Sequence, residues 1–154
     1  MIDIFEFTDA LVEKLQSIPT LVAELEPPTV ESIIGYYDIQ PSQNSVSSAI
    51  YGQRPGSVLV VYKEFALEAA EGGIVQNAHY AEIYVRASRG QSPWSLVRQL
   101  TNGVPEPGDG QRWHYCPFHP DLQRPEISSG GRETDQEAVD LWLIKLKTFE
   151  VGDP

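Results

Sequence analysis

"HYAEIYVRA", residues 79–87, decides the fold. Ala81, Ile83, Val85 and Ala87 point one way along it, and Tyr80, Glu82, Tyr84 and Arg86 point the other. A strict period of two over this length predicts a strand with one face on a core. Upstream, "SVLVVYKEF", 57–65, is apolar on both faces from Val58 to Tyr62, as expected of a strand covered on two sides. The two are expected to lie side by side and antiparallel. Their connection, "ALEAAEGGIVQNA", 66–78, is too long for a tight hairpin, which leaves two readings: a short Ala-rich helix ended by Gly72, or a projecting arm.

Working outward to the N-terminus, Ile4, Phe7, Leu11, Leu15 and Ile18 recur at steps of three and four, so a helix is predicted over 4–17. Asp3 and Glu6 have the spacing of a capping box, and Pro19 stops the run. "TLVAEL", 20–25, reads as a short strand ended by Pro27 and Pro28. "TVESIIGYYDIQ", 29–40, does not separate strand from short helix. Residues 40–56 read as a polar surface loop with room for one helical turn after Ser45.

Toward the C-terminus, "SPWSLVRQLTNG", 92–103, predicts a second helix, with Ser92 as N-cap, Pro93 at its first position and Gly103 past its end. A long Pro/Gly-rich passage follows. "TDQEAVDLWLIKLKTFEV", 134–151, carries opposed signals: Thr134 and Glu137 form a capping box, whereas the branched and aromatic residues from 140 to 149 favour a strand. The second signal decides for strand. Residues 141–146 are then apolar on both faces, so the strand is either central in its own domain or covered on one side by another subunit.

These elements predict an α+β fold: a mostly antiparallel sheet of four or more strands with two main helices packed on one side. The 154 residues suit a single domain, with irregular insertions at about 27–56 and 103–130. A net charge of −11, from 22 acidic against 11 basic residues, opposes broad contact with nucleic-acid phosphates. One cysteine forms no disulfide within the chain. The start shows neither a cationic segment nor a cleavable apolar core, so a cytosolic origin is expected, and no apolar run reaches the length of a membrane span.

The rarest residue types gather in "RWHYCPFHPD", 112–121. His114, Cys116 and His119 suit zinc by type, but they make three ligands at most, without a zinc finger's paired spacing or a metalloprotease helix. Trp113, Tyr115 and Phe118 alternate with them in a proline-stiffened segment, where they either pack down and leave both histidines exposed or serve as contact residues in an assembly. No G-x-S-x-G elbow, P-loop or G-x-G-x-x-G is present. The face of Tyr80, Glu82, Tyr84 and Arg86 is either a contact surface, since aromatics and Arg favour interfaces, or an ordinary solvated sheet face.

Taken in order, the first helix, the strands 57–65 and 79–87, the helix "SPWSLVRQLTNG" and the closing "GGRETDQEAVDLWLIKLKTFE" resemble the tail terminator proteins of long-tailed bacteriophages, the family of lambda's minor tail protein U. Arg132, Thr134, Asp135, Asp140 and Trp142 look like that family's approach to its last strand. The resemblance implies a non-enzymatic virion protein, assembled in the host cytoplasm without cofactor. It would form a hexameric ring that caps the tail tube, stops its polymerisation and joins the head connector, with DNA passing through the lumen unbound. Arg132, Asp135 and Trp142 thereby join the candidate interface residues. Two alternatives stand beside it: a head-completion or tail-tube-like ring protein of the same virion, and a small metal-binding protein or metal-dependent hydrolase using His114, Cys116 and His119.

Overall fold

Asp3 starts the first helix. Its carboxylate accepts the Phe5 amide at 3.0 Å, and Glu6 reaches back to the Asp3 amide, so the expected capping box forms and satisfies two otherwise orphaned donors. The helix, α1 (Ile4–Gln16), buries Phe7, Thr8, Leu11, Val12 and Leu15. The computed structural model describes residues 2–37, 43–69, 72–88, 116, 118–123, 125–132 and 141–151; the expected helix at 92–103 and the Thr134 capping box lie outside them.

Residues 20–25 are not a strand. Pro19 ends α1 and also opens a second helix, α2 (Pro19–Ala23), at its first turn, where its missing N–H and fixed φ cost nothing. The ambiguous 29–40 stretch holds both of its readings in succession, a 3₁₀ turn at Val30–Ser32 and a short strand β1 (Ile33–Gly35). Gly35 lets β1 lie tight on α1, because a Cβ there would stand 2.7 Å from the Thr8 methyl. The polar loop gives way to a nine-residue helix, α3 (Gln43–Tyr51), so the passage 27–56 is more regular than its composition indicates.

The sheet has five strands in the order β1-β2-β3-β5-β4. β2 (Ser57–Ala69) and β3 (Val75–Arg86) pair antiparallel as expected, with Val60 opposite Ile83. Both strands run into the connection that separates them in sequence, so the arm is the reading that holds and the helix is the one that fails. Gly72 and Gly73 take φ of +88° and +79°, a backbone that suits a hairpin turn and ends any helix. β5 (Leu141–Phe149) is the strand expected from 140 to 149, and it pairs antiparallel with β3.

β4 (Glu126–Arg132), "EISSGGR", is a strand where an irregular passage is expected. It lies at the edge and takes its ladder from β5, with Glu126 opposite Lys147 and Arg132 opposite Trp142. β5 supplies that pairing whatever the propensity of the side chains. The pair β1·β2 alone among these ladders is parallel.

Alternation along the strands divides the core in two. Val58, Val60, Ala81, Ile83, Val85, Ile144 and Leu146 pack with Phe7, Leu11 and Leu15 of α1, Leu21 of α2 and Ile18 from the link between the two helices. Leu59, Val61, Tyr84 and Leu141 pack on the opposite face with Ile50 of α3. Each fully buried aliphatic or aromatic side chain contributes about 1.5–3 kcal/mol of transfer free energy. The doubly apolar segment of β5 is therefore covered on both faces by this chain, with α3 adding helical cover opposite α1.

Gly56 closes the corner before β2. Its φ is +78°, its amide donates to Arg86 O at 2.8 Å and its carbonyl accepts from the Glu26 amide at 3.0 Å. A Cβ there would stand 2.7 Å from the Glu26 Cβ and 2.9 Å from the Glu26 nitrogen. Gly56→Ala combines a left-handed backbone with that clash and is expected to cost about 2 kcal/mol or more in urea unfolding. A change under ~0.5 kcal/mol would show that the corner yields freely.

Candidate functional site

The strongest polar constellation lies at the line where β1 and β5 stop beside the β2–β3 hairpin. His79 sits in the apolar register of β3, 1% exposed, with its ring stacked on Phe7 at 5.6 Å. Its Nε2 lies 3.0 Å from Glu150 Oε1, and its Nδ1 lies 2.7 Å from the Tyr62 hydroxyl. The carboxylate is an acceptor, so Nε2 carries a proton, and in the neutral ring Nδ1 accepts from Tyr62. Glu150 also accepts from the Ile2 amide at 2.6 Å and from Asn77 Nδ2 at 2.9 Å.

Tyr62, His79 and Glu150 thus form a hydroxyl–imidazole–carboxylate chain, the order of groups found in nucleophilic relays. Its hydrogen bonds also make it a clamp. Burial, with the charges of Glu150 and Glu64, pushes the Tyr62 hydroxyl up to about 12, so it keeps its proton at neutral pH and donates it to the imidazole. For Glu150, burial works upward, but the hydrogen bonds from Asn77, the Ile2 backbone and His79 outweigh it and hold the carboxyl below its usual range. The clamp fastens Ile2 to the far end of β5, across 148 residues of sequence.

Cys116 and residues 118–123 lie against α1. The Cys116 thiol is buried, and burial pushes its pKa up against the opposing effect of hydrogen bonds from the Phe118 and His119 amides. His119 Nε2 lies 3.0 Å from Glu6 Oε1, while the Asp121 amide donates to Nδ1 at 3.0 Å. Both of its ring nitrogens are engaged, so neither offers a free lone pair to a metal. His114, Trp113 and Tyr115 lie outside the described residues, and among the described residues no three His, Cys, Asp or Glu side chains gather as a metal set. Phe118 packs edge-on against Phe7 at 5.6 Å and is partly buried against the α1-side core.

The face of Tyr80, Glu82, Tyr84 and Arg86 divides along its length. Tyr84 is buried beneath α3 and its hydroxyl bonds Glu82. Arg86 donates to the carbonyls of Tyr51 at 3.2 Å and Gln53 at 2.8 Å, tying down the turn after α3. Tyr80, at the root of the arm, donates to Glu68 at 2.5 Å, and Glu68 pairs with Lys147 at 2.7 Å. This half of the surface is therefore largely used within the chain. Trp142 is half-buried against the α1-side core; Arg132 ends β4 opposite it, and Asp135 lies outside the described residues.

The arm, one of the two readings of the 66–78 connection, carries apolar residues that the sequence did not single out as contact candidates. β1 ends opposite Val60 and β5 ends opposite Ala78, yet β2 and β3 continue as a two-stranded hairpin to Ala69 and Val75. A bulge between Tyr62 and Glu64 shifts the register at its root. Beyond the bulge, Phe65, Leu67 and Ala69 share the α1-side face with Val75, while Glu64, Ala66 and Glu68 occupy the other. Phe65 is 51% exposed, Leu67 70%, Ile74 65% and Val75 63%. The signal is present in "EFALEA", whose apolar residues alternate with polar or small ones, but an Ala/Glu-rich stretch reads equally as helix.

Beside the arm's root, a cavity of about 460 Å³ opens between the start of α1 and α3. Ile4, Phe5, Tyr36, Val46, Tyr62 and Phe65 line it, together with Lys63 and Glu64. It follows the β2 edge past the end of β1, where the last bond is from the Tyr36 amide to Val60 O at 2.9 Å. No family model matches the chain, and no curated protein matches its sequence.

Proposed function

We propose that the protein is a structural component of a phage virion, a tail terminator that assembles as a homo-oligomeric ring of six, caps the tail tube and joins it to the head connector. The observation that supports this reading best is the arm: a two-stranded projection with four large apolar side chains in solvent, in a chain whose described polar clusters tie parts of the fold together. Apolar patches of this kind mark protein contacts, and head-to-tail contacts between identical copies close into rings. The acidic composition suits a lumen through which DNA passes without adhering. Blocking is steric: the ring occupies the last edge of the tube and leaves no surface for another tube subunit.

The test is polymerisation of the same phage's tail-tube protein with and without this protein, followed by electron microscopy of tube length. Rings of this protein at tube ends, and tubes that stop lengthening when it is added, are expected. Tubes that incorporate the protein along their length would favour the tube-like alternative. Tubes that grow unaffected, with no ring at their ends, would remove the terminator reading.

A further inference from the structure

The geometry points to a strap held open by a latch. The outer end of the arm, Leu67–Ala69 of β2 with Val75 and Gln76 of β3, is tied to β5 through Glu68 and Lys147; when that tie is released, it folds its apolar face over the cavity between α1 and α3 of the same chain. The inference goes beyond the terminator reading and stands or falls without it.

Alternation along β2 puts the latch and the apolar face on opposite sides. Glu68 turns away from α1, and Tyr80 donates to one of its oxygens at 2.5 Å. The other oxygen is shut off from water and lies 2.7 Å from Lys147 Nζ. Lys147 in turn sits over the rings of Phe149 at 4.9 Å and Tyr80 at 5.6 Å, both favourable positions for a cation. Gln76, opposite Glu68 in the ladder, accepts from Gln123 Nε2 at 3.2 Å. Both strands of the outer end are thus tied on the side away from α1. A carboxylate oxygen closed to water has little besides its cation to satisfy it, so removing the cation or the charge loosens the tie strongly.

The other side of the arm supplies the pull toward closure. Leu67 is exposed beside Phe65, which already lines the cavity together with Ile4 and Phe5. The arm's apolar face and the cavity wall therefore form one continuous surface, and folding Leu67 and Val75 onto Ile4 and Phe5 removes apolar area from water. The backbone permits the movement. β1 ends at Gly35, opposite Val60, and the last bond from β5's side is the Glu150 amide to Asn77 O at 2.8 Å. Beyond that line the arm is a two-stranded ribbon, which twists more readily than a wider sheet.

The test is disulfide trapping within the full chain. A protein carrying Leu67→Cys and Ile4→Cys, oxidised mildly at low concentration, reports closure as a monomer that loses its free thiols; native Cys116 is buried. Adding Lys147→Met, or separately Glu68→Gln, is expected to speed the linking about tenfold, the low end for loss of a hydrogen bond to a charged group. Glu68→Gln keeps the shape and the acceptor for Tyr80 while removing the charge, so it reads the latch alone if Lys147→Met disturbs β5. Linking that is as fast with the latch intact as without it, or absent in all three proteins, would overturn the inference. A linked dimer in place of the linked monomer would overturn it as well, because the apolar face would then meet a neighbour before its own cavity.

Discussion

Phe7→Ala is expected to destabilise the protein by about 3–5 kcal/mol, the range for removing a fully buried aromatic ring. Phe7 is fully buried and is the point where three parts of the chain meet. Its ring stands edge-on to Tyr62 at 5.4 Å and to Phe118 at 5.6 Å, and stacks on His79 at 5.6 Å. Alanine leaves a void bounded by β2, β3 and Phe118, which the strands cannot close without breaking their register. The measurement is urea unfolding at neutral pH, with the m-value checked for constancy. Phe5→Ala, at a half-buried ring tilted on Tyr37 at 5.9 Å, serves as the comparison and should cost far less. If both substitutions cost the same, Phe7 does not have the central place assigned to it.

Glu150→Ala ranks second, at about 2–4 kcal/mol, because it strips the acceptor from the Ile2 amide, Asn77 and His79 in a site largely closed to water. Glu150→Gln separates charge from hydrogen bonding. The native carboxyl is held below its usual range, so the folded state favours its ionised form. The stability this confers is complete above the unfolded-state pKa, near 4.3, and is lost as pH falls from there through the folded value. The difference between the wild type and Glu150→Gln in urea midpoints should therefore be level from pH 6 to pH 7 and shrink on acidification below about pH 4.5. A gap that stays level to pH 3 would show that the charge contributes nothing at the clamp.

Sequence legibility follows the range of the interaction that decides each element. The strands 57–69 and 75–86 were readable at their centres because alternation records burial locally, and α1 was readable because its apolar stripe and its Asp3 cap lie within a few residues of each other. β4 was not, since "EISSGGR" is a strand only by virtue of the β5 edge beside it. α2 was misread because Pro19 carries two meanings, a stop and a start. The apparent solvent face at Tyr84 and Arg86 failed for a related reason: its cover is α3, a helix of Gln, Asn and Ser with little apolar signal of its own. In the clamp, His79 could have been suspected as a polar residue in the apolar register of Ala81, Ile83 and Val85, but nothing local names Glu150 as its partner.

The arm has one more consequence, for how such a protein changes over generations. Phe65, Leu67, Ile74 and Val75 belong to neither core cluster, and the clamp of Tyr62, His79 and Glu150 seals the fold just short of them. Substitutions beyond that seal leave folding stability nearly untouched, as exposed positions generally do. Selection can therefore retune what the projection recognises, residue by residue, while the two cores that present it stay fixed.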